Sequence, residues 1–500
     1  MDAPPLRPNV LLVVTDQQRF DTLRSYGFSG GHTPHLDRLA DDGAVFDAAY
    51  CSSPLCTPSR ASLFTGKPVT EHGVQRLHDD LDDDERLFPE LLREHGYRTG
   101  LFGKLHVSSH VREASGRHPH DGFDVYEWCN EASLDMESPL QAYDAWLGEQ
   151  DPDFRDRLRR EGRGVKHHPR ELHLSHWIAE RAVAFVDEAV RDDVPFFAYL
   201  GFFDPHNPYD DHPLELTELI GDLPPVRPEP REVPEGLRRE LASKTVDAHI
   251  DGDLESARRG YHASVALVDA ELGRVLDRID ELGLRDETLV VFTSDHGEML
   301  GDRGLMTKGA FFYEPCVRVP LLLRAPGVVP PGTRVDGPVD LTDVTATVLA
   351  AAGADAGAGR PRGGDAAEEL DAPRDLRAVA AGTAISRPFV VSSYRNGGVA
   401  VGEPTTYFDP PVLATMIRDD RYKLVRYHDG TAPAGQLFDL RVDPEESTDL
   451  WRSPDHLDVR ERLTAALLDR QVRAEWRRSE EKPAEHRDSR AADGRRGDAA

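Results

Sequence analysis

Short, uninterrupted hydrophobic runs recur along the chain and predict strands. The first run, 9–15 (NVLLVVT), is rich in β-branched residues and contains no charged side chain. Such a run is typical of a strand that is buried on both faces of a sheet. Similar runs occupy 99–103, 196–202, 289–294 and 319–323.

Between these runs, hydrophobic residues recur at a spacing of three to four, which predicts helices. This spacing covers 177–190 and 262–282, and Gly283 is expected to end the second helix as its C′ residue. Strands that alternate with helices indicate a mostly parallel sheet covered on both faces. We therefore predict an α/β fold with a large, mostly parallel sheet flanked by helices.

After residue 349 the composition changes to mostly Ala, Gly, Asp, Pro and Arg, and 350–388 is interpreted as a linker or long loop. Strands are predicted at 389–393, at 414–427 around an R-D-D-R turn and at 436–440, followed by a helix at 457–476. The predicted organisation is a large α/β domain at 1–349, the linker, a smaller C-terminal α+β domain at 389–476, and a charged, disordered tail at 477–500.

The charge balance argues against two classes of partner. The 500 residues include 90 acidic and 60 basic side chains, a formal net charge of -30 at pH 7. Affinity for nucleic acids and for anionic membranes depends on Lys and Arg, so we expect neither a nucleic-acid partner nor a membrane partner.

We also expect a protein of the cytoplasm. The N-terminal residues lack the apolar core of a signal peptide, and no apolar run approaches the roughly 20 residues that span a bilayer. The four cysteines form no CxxC pair, which argues against structural zinc and favours a reducing compartment. The sequence does not define the oligomeric state.

Polar side chains follow two of the predicted strands directly. Asp16 and Gln17 follow the first strand, and Asp295 and His296 follow the strand at 289–294. In a parallel sheet, ligands bind beyond the carboxyl ends of the strands. Two carboxylates, an amide and an imidazole suit a divalent ion such as Ca²⁺, Mn²⁺ or Mg²⁺. The alternative is that each residue only ends its strand as a turn or helix-capping residue.

The segment 55–66 (LCTPSRASLFTG) predicts a helix with Pro58 at its N1 position. Cys56 would then lie at a helix N-terminus, where backbone amides attract anions and lower the pKa of a thiol. Arg60 adds a positive charge nearby. The alternative for Cys56 is a small buried hydrophobic residue.

Further candidate residues lie near other strand ends. Lys104 and His106 follow 99–103, His206 follows 196–202, and Lys308 lies thirteen residues after Asp295. Taken singly, each is more typical of the protein surface than of a catalytic site.

Together these segments carry a family resemblance. The C-T-P-S-R segment resembles the C-x-P-S-R signature of the formylglycine-dependent (type I) sulfatases in the alkaline phosphatase superfamily. N-V-L-L-V-V-T-D-Q resembles the first strand of that family. T-P-H-L-D-R-L-A-D-D-G-A-V-F-D-A-A-Y resembles the segment before its nucleophile, and the segment 268–297, which ends in S-D-H-G, resembles its second metal-binding region. The resemblance extends over about 8–353.

The resemblance implies a sulfatase, an enzyme that hydrolyses a small-molecule or sugar sulfate monoester to inorganic sulfate and an alcohol. A separate formylglycine-generating enzyme would convert Cys56 to formylglycine. One hydroxyl of the hydrated aldehyde would attack sulfur, and the other would expel the sulfate. The divalent ion, with Ca²⁺ favoured over Mn²⁺ and Mg²⁺, would be held by Asp16, Gln17, Cys56, Asp295 and His296.

The resemblance also implies roles for the basic residues. Arg60 would position the diol, and His106 would accept the proton of its second hydroxyl. The sulfuryl oxygens would be bound by Lys104, Lys308 and His206, and either Lys308 or His206 would protonate the leaving group.

The metal-binding motifs depart from the common family pattern of Asp-Asp and Asp-Asn. The pairs Asp16-Gln17 and Asp295-His296 resemble choline-sulfatase-like and phosphonate-monoester-hydrolase-like members. A phosphonate monoester or phosphodiester hydrolase that uses the same site is therefore an alternative. A third possibility is a non-catalytic anion- or metal-binding protein in which Cys56 remains a thiol.

Overall fold

The computed structural model describes residues 7–134, 137–230, 237, 241–250, 252–354, 372–396, 408, 411–428 and 434–481. Its strands are β1 Asn9–Thr15, β2 Ala44–Phe46, β3 Ala49–Tyr50, β4 Arg98–Gly103, β5 Val125–Trp128, β6 Phe196–Gly201, β7 Thr288–Ser294, β8 Leu321–Arg324, β9 Thr333–Val335, β10 Val339–Asp340, β11 Val390–Arg395, β12 Leu413–Arg418, β13 Tyr422–Tyr427 and β14 Ala434–Asp439.

The α-helices are α1 Pro34–Asp41, α2 Cys56–Thr65, α3 Val69–His72, α4 Phe88–Glu94, α5 His110–Ser115, α6 Ala142–Gln150, α7 Pro152–Glu161, α8 Leu174–Arg191, α9 Val246–His249, α10 Leu254–Glu281, α11 Glu314–Val317, α12 Thr342–Ala352, α13 Leu376–Ala380 and α14 Leu457–Glu481.

An eight-stranded sheet forms the centre of the large domain, in the order β5-β4-β6-β1-β7-β8-β2-β9. The strands from β5 to β7 are parallel, and β8 runs antiparallel to both of its neighbours. This arrangement confirms the predicted α/β class with a mostly parallel sheet.

Strand β1 is buried on both faces, as its unbroken hydrophobic run predicts. Leu11 and Val13 belong to the hydrophobic core that includes α8 and α10. Val10, Leu12 and Val14 belong to the core on the other face, which includes α2 and α12. Because successive side chains of a strand point to opposite faces, the run fills two cores at once.

The helices predicted at 177–190 and 262–282 are present as α8 and α10, and both begin before the predicted residue. The helix predicted around Pro58 also begins at an earlier residue. The helix predicted at 262–282 begins earlier, at Leu254, because Asp253 caps it by accepting hydrogen bonds from the backbone amides of Glu255 and Ser256. Gly283 follows the end of that helix with a positive φ of 75°. The N1 position predicted for Pro58 is wrong: α2 begins two residues earlier, at Cys56.

The C-terminal sheet is antiparallel, in the order β11-β12-β13-β14. The single segment predicted at 414–427 is two strands, β12 and β13, separated by the predicted R-D-D-R turn. Leu463 and Leu467 of α14 pack on one face of the sheet. Its other face joins the core of the large domain through side chains that include Tyr394 and Met416.

The predicted domain boundaries fall partly outside the described residues. Within 350–388, the described part holds the end of α12 and the short helix α13, whereas 355–371 are not described. Helix α14 continues to Glu481, beyond the predicted boundary at 476, and 482–500 are not described. In the part of the chain that is described, no helix combines the length and hydrophobicity needed to cross a membrane.

Candidate active site

The ends of β1 and β7 bring four of the predicted metal-binding residues together. The two strands are parallel neighbours, with Thr15 in register with Ser294. Asp16 and Asp295 therefore leave the sheet side by side. The backbone amides of Gln17 and His296 donate to Asp295 Oδ1 at 3.0 and 2.9 Å. These residues are all fully buried.

Donor atoms of Asp16, Cys56, Asp295 and His296 lie within 4.8 Å of one another. Cys56 Sγ is 3.1 Å from His296 Nε2 and 3.7 Å from Asp16 Oδ1. His296 Nδ1 lies 2.9 Å from the carbonyl oxygen of Gly297 and must donate to it, which leaves the Nε2 lone pair directed into the cluster. Two carboxylates, a neutral imidazole and a sulfur or oxygen ligand fit a divalent cation.

Gln17 adopts a positive φ of 69°, a conformation that is uncommon for residues other than glycine. Its side chain is tightly oriented: Oε1 accepts a hydrogen bond from Lys308 Nζ at 2.6 Å, and Nε2 donates to Glu298. The predicted role of Gln17 as a metal ligand stays a prediction, since its oxygen is directed at Lys308.

Arg60 holds the carboxylates in place from α2. It is fully buried, and its Nε donates to Asp295 Oδ2 at 2.7 Å, while one terminal nitrogen lies 3.4 Å from Asp16 Oδ2. The other terminal nitrogen donates to the Tyr199 hydroxyl at 2.8 Å and to the carbonyl oxygen of Lys104 at 3.0 Å. Arg60 therefore links α2 to the ends of β1, β4, β6 and β7.

Cys56 is the first residue of α2, so its thiol lies next to the N-terminus of this helix. Burial and the charge of Asp16 raise its pKa, but the positive charges of Lys308 and Lys104 outweigh them and hold the pKa of the thiol below its usual value. The surroundings therefore stabilise negative charge at this position.

Asp16 is surrounded by positive charge. Lys104 Nζ lies 2.7 Å from its Oδ2, and Lys308 Nζ lies 4.0 Å from its Oδ1. Burial alone would raise the pKa of Asp16, but the positive charges of Lys104 and Lys308 hold it well below the usual range. The pKa of Lys104 is raised, since the attraction of Asp16 exceeds the effect of burial.

His206 and Lys308 form a hydrogen-bonded pair. His206 Nδ1 lies 2.8 Å from the carbonyl oxygen of Asn207 and donates to it, so Nε2 carries a lone pair and accepts from Lys308 Nζ at 2.7 Å. Burial and the charge of Lys308 lower the pKa of His206 well below its usual value. Lys308 therefore carries the proton of this pair.

His106 is held beside α2 in one tautomer. The Thr57 hydroxyl donates its proton to the carbonyl oxygen of Leu77 at 3.1 Å, so it can only accept from His106 Nε2, 2.9 Å away. His106 Nδ1 is consequently unprotonated, and it is buried without a hydrogen-bond partner among the described residues. Burial, followed by His110 and Lys104, lowers the pKa of His106 well below its usual value.

Several residues that the sequence patterns do not predict also support this site. Glu298 accepts hydrogen bonds from the Tyr209 hydroxyl at 3.0 Å and from Gln17, and so orients the Gln17 amide. The ring of Phe203 lies 4.7 Å from the His206 ring and 5.2 Å from Lys104 Nζ. Glu298 lies two residues after His296, and this closeness to a candidate metal-binding residue indicates a role in the site. No sequence pattern marks Phe203 in the same way.

Comparison with known proteins supports a family assignment. A family model described as Sulfatase matches residues 8–354. The chain is 28% identical to the uncharacterized sulfatase YidJ of Escherichia coli over 475 residues, which cover 93% of this chain and 87% of that protein. It is 29% identical to an ulvan-active sulfatase of Formosa agariphila over 348 residues, which cover 69% of this chain but only 61% of that protein.

Among solved structures, the phosphonate monoester hydrolase of Agrobacterium radiobacter matches with a TM-score of 0.76 at 26% sequence identity, covering 94% of this chain and 96% of that one. The similarity therefore extends through both domains. Because the family model covers well over half of the residues, including the strand ends that carry Asp16 and Asp295 and the C-T-P-S-R segment, the chain belongs to the sulfatase family of hydrolytic enzymes.

Proposed function

We propose that this chain hydrolyses a sulfate monoester, releasing inorganic sulfate and an alcohol. The observation that carries the proposal is the surplus of positive charge around Asp16, where Arg60, Lys104 and Lys308 converge beside Cys56. A site of this kind binds an anionic group and stabilises the negative charge that develops on the leaving oxygen.

The site residues fit a divalent metal ion, with Ca²⁺ favoured and Mn²⁺ or Mg²⁺ as alternatives. Asp16, Asp295 and His296 would hold the ion together with the side chain at position 56. Gln17 would join them as a ligand once its Oε1 turns from Lys308 to the ion. Bound there, the ion would supply charge stabilisation to the sulfate ester. The roles of the individual ligands are part of this proposal.

Formylglycine, formed from Cys56 by a formylglycine-generating enzyme, would serve as the nucleophile. A hydrated aldehyde offers two hydroxyls, one to attack sulfur and one whose deprotonation expels the sulfate. The helix N-terminus and the neighbouring lysines that lower the pKa of the Cys56 thiol would equally favour negative charge on an attacking oxygen.

The basic residues divide between two tasks. Lys104, Lys308 and His206 would bind the sulfuryl oxygens, and Lys308 would protonate the leaving alkoxide because it carries the proton of the Lys308–His206 pair. His106 would accept a proton at Nδ1, the nitrogen that the contact with Thr57 leaves unprotonated.

A second candidate function is hydrolysis of a phosphonate monoester or phosphodiester at the same site. Two observations favour it: the Asp16-Gln17 and Asp295-His296 pairs, and the similarity to a phosphonate monoester hydrolase over nearly the whole chain. The ulvan-active relative suggests a sulfated sugar for the first candidate. We also propose that the protein acts in the cytoplasm, since its four cysteines are all free and buried.

The test uses protein produced together with a formylglycine-generating enzyme. Peptide mass spectrometry over 53–60 should show a loss of about 18 Da at Cys56, the mass change of the conversion. The converted protein should hydrolyse 4-nitrophenyl sulfate or a member of a sulfated-sugar panel, and lose that activity on chelation and regain it with Ca²⁺ or Mn²⁺. Cys56→Ala is the control.

Phenylphosphonate esters, assayed on the same preparation, separate the two candidates. A higher kcat/KM for sulfate esters supports the sulfatase, and a higher value for phosphonate esters supports the alternative. Full conversion of Cys56 without turnover of any of these esters would overturn both. Cys56 that remains a thiol in the natural host would support a non-catalytic role.

A further inference from the structure

Three buried side chains that each carry a polar atom without a partner lie close together at the loop that carries His206. They belong to His168, His173 and Asp211, whose residues are 3%, 1% and 3% exposed. His168 Nδ1, His173 Nε2 and Asp211 Oδ1 have no hydrogen-bond partner among the described residues. One potential ligand atom from each residue lies within 4.8 Å of the others. Because unpaired buried polar atoms are rare, something is expected to fill this site.

The hydrogen bonds made by the other ring nitrogens fix the protonation of both imidazoles. His168 Nε2 lies 3.2 Å from the carbonyl oxygen of Val165 and must donate to it, so Nδ1 presents a lone pair. His173 Nδ1 accepts a hydrogen bond from the backbone amide of Ser175 at 3.1 Å, so in the neutral ring Nε2 presents a proton. Burial and the charge of Asp204 raise the pKa of Asp211 well above its usual range, and Oδ1, as the unprotonated oxygen of this carboxyl, is an acceptor. The site therefore presents one donor and two acceptors.

One hydrogen-bond donor and two acceptors do not fit a metal ion, although two imidazoles and a carboxylate are a common set of metal ligands. A metal ion needs a lone pair from each ligand, and His173 Nε2 offers a proton instead. A water molecule matches all three groups: its oxygen accepts from His173, and its two O–H bonds donate to His168 and Asp211. We propose that a single enclosed water molecule binds between His168, His173 and Asp211.

The bound water would join three segments of the chain. His173 is the N-cap residue of α8, and His168 lies five residues before it in the chain. Asp211 belongs to the loop that follows β6 and carries His206. The backbone amide of His168 also donates to the carbonyl oxygen of Asp211 at 2.8 Å. The water would therefore extend an existing contact and help to fix the loop behind the candidate active site. This inference does not depend on the proposed reaction.

An experimental structure of the full chain, together with metal analysis, tests the proposal directly. We expect density for one water at about 2.7–3.2 Å from the three atoms, without anomalous signal at the zinc edge. Density at about 2.1 Å from two imidazole nitrogens, with a matching metal equivalent, would overturn it in favour of a metal ion. A direct hydrogen bond from His173 Nε2 to Asp211 Oδ1, with no density between them, would also overturn it.

Variants provide a second measurement. Asp211→Asn retains an acceptor oxygen and should keep the thermal midpoint close to wild type, whereas Asp211→Leu should lower it by at least about 2 °C. Asp210→Leu, at the neighbouring and more exposed position, controls for loss of a loop carboxylate. His168→Phe combined with Asp211→Leu should cost less than the sum of the single changes, because either change removes the same water. Strictly additive effects would contradict a shared water.

Discussion

Two buried lysines, Lys423 and Lys308, show how a structural charge differs from a functional one in this molecule. Lys423 on β13 donates to the carbonyl oxygen of Phe312 at 2.7 Å and to Glu314 at 2.8 Å, and it lies 2.5 Å from Glu446. Its ammonium therefore has three acceptor oxygens within 2.8 Å. Lys308 has two close partners among the described residues, Gln17 and His206, so one N–H remains available.

The charged groups around Lys423 also differ from those around Lys308. Lys423 lies between two carboxylates, those of Glu314 and Glu446, and Arg318 also contacts Glu314 at 3.6 Å, so cations and carboxylates are equal in number. Around Asp16 and Asp295 the cations outnumber the carboxylates, since Lys104, Lys308 and Arg60 face these two side chains. A saturated lysine stabilises the fold, whereas a lysine with an unused donor and surplus charge is prepared for an anionic ligand.

The largest effect is expected from Lys308→Met. If the unused N–H binds the sulfuryl group and protonates the leaving oxygen, kcat/KM should fall by about 10²- to 10⁴-fold. The midpoint of thermal unfolding should stay near wild type, because the change relieves repulsion among the cations. Lys308→Arg, which retains the charge, should recover part of the loss in binding. Loss of stability with retained kcat/KM would reverse the comparison between the two lysines.

Lys423→Met should give the opposite pattern. Removing this ammonium leaves Glu314 and Glu446 buried without their common partner, and breaking a buried ion pair in this way costs about 3–5 kcal/mol. Urea unfolding followed by circular dichroism measures the loss, and kcat per folded molecule should remain near wild type. The triple variant Lys423→Met, Glu314→Gln, Glu446→Gln should recover part of the stability, since it removes both carboxylates that lost their common partner while Arg318 loses its contact with Glu314. No recovery would show that the three groups act independently.

The sequence predicted the functional side of this comparison better than the structural side. Lys104, Lys308 and His206 were found because they follow parallel strands whose carboxyl ends meet at one edge of the sheet. Lys423 lies within an ordinary strand, and its partner Glu314 is 109 residues away along the chain. No local pattern reports such a pairing, because it depends on how the C-terminal sheet packs on the large domain.

Smaller features also divide into those that a local sequence pattern predicts and those that depend on contacts made in the fold. The unbroken hydrophobic run of β1 predicted its bounds, because burial on both faces excludes polar residues from the strand. The start of α2 was misplaced, because Pro58 is equally compatible with the first turn of a helix that begins at Cys56. The tautomers of His106 and His173 depend on carbonyl and amide groups brought close by the fold, so they could not be derived from sequence.

Thr57→Val tests the active-site region without changing its charge, because it removes only a hydroxyl that contacts His106. Thr57 accepts from His106 Nε2 and thereby leaves Nδ1 as the basic nitrogen. Valine retains the shape but lets His106 adopt the other tautomer, so kcat should fall by about tenfold with little change in KM. Thr57→Ser, which restores the hydroxyl, should recover most of the rate.

Formylglycine content must be measured in both Thr57 variants, because the substitution lies within the C-T-P-S-R segment. Equal conversion of Cys56 and an unchanged kcat in Thr57→Val would show that the contact with Thr57 does not select the tautomer.

The smallest expected effect is in the pH dependence, and it also separates the two charged regions. Burial, His110 and Lys104 lower the pKa of His106 well below its usual value, so the unprotonated base persists as the pH falls below 6.5. Between pH 7 and pH 6, kcat/KM should therefore change little, whereas a base with a pKa of about 6.5 would lose about threefold. Lys423→Met should leave this profile unchanged, since that cluster is not part of the active site. An acid limb near pH 6.5 that disappears in His106→Asn would show that the surplus positive charge does not control this base.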